Sequence, residues 1–186
     1  YGFYYIIEIL LNIKEFEIFI DKEDSNSQTP IMIAANNDHI EIVRLLNETK
    51  KISPKSIQSA IIKALINGSI KCVEYLLDFV DINDRINGSS TLLHLAIFND
   101  HLDIVKLLLS RENIDVNIPS SKGFSPIHHA IILGNEKVVE LLMKMPNIEK
   151  SLNDHSKFNE SPLDTAKNIN NQKIVEMIQN YITKKQ

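Results

Sequence analysis

The residues best able to hold a metal, or to act as nucleophile and base, are six histidines (His39, His94, His101, His128, His129 and His155) and one cysteine, Cys72. Zinc requires three or four such ligands converging within about 2.1 Å of a single ion. His129 and His155 have no ligand partner at a helical or loop spacing, and no HExxH pattern occurs. A glycine-rich phosphate loop and a nucleophile elbow are absent as well. Glu136 and Glu140 stand one helical turn apart and could be read as an acid–base pair. The apolar pattern around them places both on a solvent-facing side, as a solvated charge row. Cys72, beside Val73 in an apolar helical pattern, reads as a small core residue rather than a reactive thiol. With one cysteine no intrachain disulfide can form, which favours a reducing compartment. No catalytic residue, cofactor or metal is expected.

Internal repetition is the stronger signal. Ala34, Ala64, Ala96, Ala130 and Ala166 follow one another at intervals of 30, 32, 34 and 36 residues. Apolar residues follow each alanine at the same four offsets: Ile42, Val43, Leu45 and Leu46 after Ala34, and Cys72, Val73, Tyr75 and Leu76 after Ala64. The later units repeat this with Ile104, Val105, Leu107 and Leu108, then Val138, Val139, Leu141 and Leu142, then Ile174, Val175, Met177 and Ile178. Such a register predicts a modular array in which each unit shelters its neighbour's apolar side.

Each unit carries the signals of two short helices. Thr29–Pro30, Ser125–Pro126 and Ser161–Pro162 pair a hydroxyl N-cap with a proline that loses no hydrogen bond in a first turn. Four residues after each alanine stand Asp38, Gly68, Asp100, Gly134 and Asn170, types that tolerate left-handed backbone angles. Second helices such as HIEIVRLL and HLDIVKLLL show apolar residues three and four apart. Glu41, Arg44, Asp103, Lys106, Lys137 and Glu140 are left for solvent.

Charge and hydropathy exclude two partner classes. The net charge is −4, and the basic residues are interleaved with acids except at Lys184–Lys185, so no basic stripe awaits a nucleic acid. The first twenty residues are apolar but interrupted by Glu8, Lys14, Glu15 and Glu17, which argues against membrane insertion. They lack a signal-peptide pattern too. The start at Tyr1 rather than Met reads as a piece of a longer polypeptide or a processed product.

TPIMIAANNDHIEIVRLL, TLLHLAIFNDHLDIVKLLL and SPIHHAIILGNEKVVELLM resemble the ankyrin repeat, with its Thr-Pro-Leu-His opening and Gly-His turn. The resemblance runs over about residues 29–182. It implies an all-α ankyrin-repeat solenoid of about five stacked helix–turn–helix units with short β-hairpin fingers. Units are expected near 29–52, 53–84, 85–118, 119–154 and 155–186, after a partial or atypical repeat over 1–28. The resemblance implies that His94 and His128 bond to backbone groups and brace turns. As equivalent residues of adjacent units about 10 Å apart, they could not share a zinc ion. VDIN at 80–83 and Ile114-Asp115-Val116-Asn117 look like strands entering the fingers, with Asn87–Gly88 and Lys122–Gly123 supplying the turns.

Three departures carry expectations. The second unit reads SIQSAIIKALINGS, so its first helix is expected to begin at the cap Ser53–Pro54, with the preceding finger short or absent. The fifth has Asp164 where His94 and His128 stand, Asn159 in place of a loop glycine, and a polar second helix suited to a C-terminal cap. YIIEILL, near the N-terminus, resembles a second helix whose first helix is missing, leaving an apolar surface.

Family grooves and finger tips contact partners, which points to Ile66, Phe98, Asn99, Phe124, Ile132, Leu133, Phe158 and Ile169. Phe98 and Phe124 are expected exposed, while Leu133 and Ile169 are equally open to half-burial by a neighbour. The expected function is a non-enzymatic, cytoplasmic, monomeric scaffold binding another protein. The alternative is an ankyrin segment of a larger enzyme, channel or transporter whose activity lies elsewhere.

Overall fold

A computed structural model describes residues 2–156 and 160–185. Its described elements are helical apart from one isolated antiparallel bridge, Ile86↔Ser90. The chain divides into two compact units, Tyr1–Asp81 and Ile82–Gln186.

The first unit holds α1 (Gly2–Leu11), a 3-10 segment (Lys14–Phe19), α2 (Pro30–Asn36), α3 (Ile40–Glu48), α4 (Pro54–Ile66), α5 (Ile70–Leu76) and a closing 3-10 turn, Leu77–Phe79. Inner helices α2 and α4 pack on each other, and outer helices run α1, α3, α5. The expected early start of α4 is observed: Ser53 caps it by accepting from the Ser56 N–H at 3.2 Å. The helix consequently has 13 residues, against seven in α2. α1 lies against α3 as α3 lies against α5. Tyr5, Ile6 and Ile9 on α1 remain exposed, and an apolar hollow of about 470 Å³ opens between α1 and α2.

The second unit contains α6 (Leu92–Phe98), α7 (Leu102–Leu109), α8 (Pro126–Ile132), α9 (Glu136–Met143), α10 (Glu149–Asn153), α11 (Pro162–Asn168) and α12 (Gln172–Lys185). The inner row is α6, α8, α11 and the outer row α7, α9, α12.

The repeat frame explains the packing. All five anchor alanines are buried, because a larger side chain would hold the helices apart. The residues 8, 9 and 12 positions later are buried in every unit, and the residue at offset 11 is half-buried in every unit. Each fully buried Val, Leu or Ile contributes about 1.5–3 kcal/mol, so the stripe is the principal cohesive feature. Asp38, Gly68, Asp100, Gly134 and Asn170 all adopt positive φ, between 55° and 73°, reversing the chain between first and second helices. The outer face of α12 exposes Gln172, Lys173, Glu176, Gln179 and Asn180 while Ile174, Val175 and Ile178 are buried.

The fingers correct one expectation. No strand ladder forms among the described residues; the first finger is the single bridge Ile86↔Ser90, closed over Asn87 and Gly88, both at positive φ. In the second, Ser120 N–H donates to the Phe124 carbonyl and Gly123 N–H to the Ser120 carbonyl, each at 2.8 Å. VDIN and its counterpart at 114–117 are not strands. They are turns whose asparagines reach into the next repeat. The Asn83 side chain donates to the Asn113 carbonyl and accepts from Asp115 N–H, at 2.7 and 2.9 Å. Asn117 Oδ1 accepts from the N–H and hydroxyl of Ser151, at 3.2 and 2.7 Å. Side-chain amides from the preceding repeat satisfy these loop groups, so no ladder is needed to do so.

Candidate interaction groove

In the second unit, α6 and α8 lie side by side and the two finger turns stand at one end of them. Thr91 and Ser125 begin the two helices in extended conformation, and His94 and His128 fold back as the third helical residues. His94 Nδ1 lies 2.9 Å from Thr91 Oγ1 and 3.3 Å from Thr91 N, while Nε2 lies 3.0 Å from the Phe124 carbonyl. A carbonyl can only accept, so Nε2 carries the proton and Nδ1 accepts. His128 repeats the arrangement with Ser125 and with the Glu160 carbonyl, at 3.2 Å. Each ring thus fastens its own helix cap to the carbonyl just before the next cap, that of Phe124 before Ser125 and that of Glu160 before Ser161.

Burial depresses the basicity of these rings. His94 is pushed down to about 4, the bond to Phe124 opposing that only in part. His128 and His129 are also lowered, chiefly by burial, with Lys122 among the charges acting on His129. These rings stay neutral near neutral pH. His39 and His101 occupy the N-cap positions of α3 and α7. Among the described residues no group of three or more His, Cys, Asp or Glu is placed to hold a metal. Cys72 is fully buried, and burial, reinforced by the Asp38 carboxylate, pushes its thiol up to about 12. Glu136 and Glu140 are engaged separately, with Lys173 at 2.5 Å and Lys144 at 2.7 Å.

A hollow of about 420 Å³ runs from the finger turns to the far ends of α6 and α8. Phe98, Phe124, Ile132 and Leu133 all line it. Phe98, the last residue of α6, is 69% exposed, although Ala96 and Ile97 beside it are fully buried. Ile132 and Leu133 are exposed at the end of α8. Phe124 departs from the expected exposure and is half-buried. Its ring packs on His128 and His129, at centroid separations of 5.7 and 6.0 Å, and its carbonyl is held by His94.

The remaining expected residues do not join this hollow. Asn99 is half-buried as the C-cap of α6, with its amide donating to the Leu95 carbonyl at 2.8 Å. Ile169 is exposed beyond α11, and Ile66 is exposed in the first unit. Phe158 and Asn159 lie outside the described residues. The other lining residues, Ser120, Lys122 and His129 among them, went unrecognised as groove residues. The turn signal at Lys122–Gly123 marked their neighbourhood but not which side chains face the helices.

A family model described as ankyrin repeats (3 copies) matches residues 1–86, 47–120 and 93–185, and the chain belongs to the ankyrin-repeat family. It is 28% identical over 190 residues to "Putative ankyrin repeat protein FPV031" of Fowlpox virus (strain NVSL), across 96% of this chain and 54% of that protein. It is 38% identical over 60 residues to "SMC5-SMC6 complex localization factor protein 1" of Bos taurus, covering 32% of this chain and 6% of that one. It is 32% identical over 78 residues to "Rabankyrin-5" of Mus musculus, covering 41% and 7% respectively. The chain therefore spans about half the length of the viral relative and under a tenth of the other two. No described helix is long and apolar enough to cross a membrane.

Proposed function

We propose that this chain is a non-enzymatic protein-binding module whose second unit engages a partner through the hollow between α6, α8 and the finger turns. The observation that carries this reading is Phe98. An aromatic ring 69% exposed at the end of a largely buried helix, with Ile132 and Leu133 lining the same hollow, is an apolar anchor without a protein core to fill. Ile66 and Ile169 are candidates for flanking contacts, and Phe158 retains its sequence-based candidacy. The buried, unreactive Cys72 fits a reducing, intracellular setting.

The test is Phe98→Ala. Partners captured by the wild-type chain and identified by mass spectrometry are expected to be depleted from the variant, with unfolding free energy changed by less than about 0.5 kcal/mol. A loss of about 3–5 kcal/mol, typical of a core aromatic, would contradict the reading. So would an unchanged set of captured proteins. Because the chain spans only part of its relatives' lengths, the second reading is a repeat segment that recruits partners to an activity located elsewhere in a longer protein.

A further inference from the structure

We propose that the occupant of the α6–α8 hollow is an acidic peptide segment of a partner protein: a large apolar side chain lies over Phe98 and Leu133, and a neighbouring carboxylate sits at the finger end. The proposal rests on the protein-binding reading above and adds the chemistry of the bound segment.

The two ends of the hollow differ in kind. At the far end the walls are hydrocarbon, from Leu95, Phe98, Ile132 and Leu133. A cavity of about 420 Å³ lies in the size range that takes one or two large side chains. At the finger end the walls are serine hydroxyls and Lys122, which is the sole charged residue lining the hollow. Lys122 is exposed, and no described ion pair engages it. It lines the same hollow as His129.

Two polar atoms of the same wall are left over. Ser120 is 6% exposed, and among the described residues neither its hydroxyl nor His129 Nδ1 has a hydrogen-bond partner. A buried polar atom without a partner is costly, so an occupant that supplies one gains affinity. A carboxylate can accept from the Ser120 hydroxyl and from the Lys122 ammonium, which stand on one turn. An ammonium could satisfy the hydroxyl's lone pair but would meet Lys122 as a like charge. The chain as a whole is negative, at −4, so this basic finger end is a local inversion that selects against the cationic alternative.

The experiment titrates the isotope-labelled 186-residue chain with three capped hexapeptides and follows backbone amide shifts. The first has leucine–phenylalanine between pairs of glutamates, the second has lysines in place of the glutamates, and the third keeps the glutamates around two glycines. The acidic anchored peptide is expected to shift Leu95, Phe98, Lys122 and Leu133 and to bind about fivefold more tightly than its lysine counterpart. Lys122→Glu, a change on an exposed turn, should abolish or reverse that preference, and Ser120→Ala should weaken the acidic peptide alone. Equal binding of both anchored peptides in the hollow would overturn the charge assignment while leaving the groove reading intact. Equal binding of the glycine peptide would overturn the apolar anchor. Shifts confined to another surface, or none at millimolar peptide, would overturn the proposal, and the Phe98→Ala capture comparison judges the groove separately.

Discussion

Acidification should loosen the second unit through His94, and the size of the effect follows from its surroundings. The ring is 1% exposed and holds Thr91 on one nitrogen and the Phe124 carbonyl on the other. A proton on Nδ1 would face the Thr91 N–H, donor against donor. In the unfolded chain the ring takes its proton near the ordinary 6.5, whereas in the folded chain it resists until about 4. Because the folded value is depressed, the stabilisation is complete above pH 6.5 and is lost as pH falls toward 4. The full separation is worth about 3 kcal/mol, and about 2 kcal/mol of it is gone by pH 5. Urea unfolding at pH 7.5 and pH 5, for the wild type and for His94→Gln, isolates this contribution. Glutamine at the third helical position can still serve the cap but does not titrate. The wild type should lose about 2 kcal/mol more than the variant over this interval, with m-values unchanged. His128 and His129 persist in both proteins. Asp164, held below its ordinary value by bonds from Ser161, gives up its stabilisation only at lower pH. Parallel losses in the two proteins would refute the assignment of the acid response to His94.

Two further perturbations probe the array itself. Asn117→Ala strips the buried Ser151 N–H and hydroxyl of their acceptor, so unfolding free energy should fall by about 1–3 kcal/mol, with hydrogen exchange accelerated first around Ser151. An unchanged melting curve would remove these asparagines from the account of how neighbouring repeats are joined. Gly134 sits at φ +65°, and an added Cβ would meet only Asn171 Nδ2 at 3.8 Å. Gly134→Ala should therefore cost only the left-handed backbone penalty, about 1 kcal/mol, and Gly134→Asn less, as thermal melts can show.

What the sequence made legible was whatever depends on neighbours within one unit. The alanine anchors, the buried stripe and the five left-handed turn residues recur at fixed offsets, because a helix pair of constant length imposes them. The early start of α4 was readable because Ser53–Pro54 is a local cap. Phe124 and the fingers were misjudged for the opposite reason. The carbonyl of Phe124 is fixed by His94, 30 residues earlier in the preceding repeat, and that grip holds its ring over His128 and His129. The missing strand ladder likewise follows from Asn83 and Asn117 satisfying loop groups about 30 residues away. The groove suffers the same difficulty, since Lys122 and Phe98 come to line one hollow only once two repeats are stacked.

One sequence variation carried long-range information all the same. The residue two positions before each anchor alanine is Met32, Ile62, His94, His128 and Asp164 in turn. Histidine occurs where a loop carbonyl further on, Phe124 or Glu160, lies within reach of its second nitrogen. After Met32 the chain enters α4 directly at Ser53–Pro54, with no intervening finger. There the Thr29 N–H meets the Met32 sulfur, at 3.3 Å, where Thr91 and Ser125 meet a ring nitrogen. α4 does without the motif, since its cap lies well before Ile62. Among the described residues the Asp164 carboxylate bonds within its own cap, accepting from the Ser161 hydroxyl and N–H at 2.6 and 3.2 Å. A carboxylate can only accept, so it could not take the part that His94 Nε2–H plays toward the next carbonyl. The identity of this one residue therefore reports on the loop about 30 residues downstream, and on whether that loop is stapled to the helix before it.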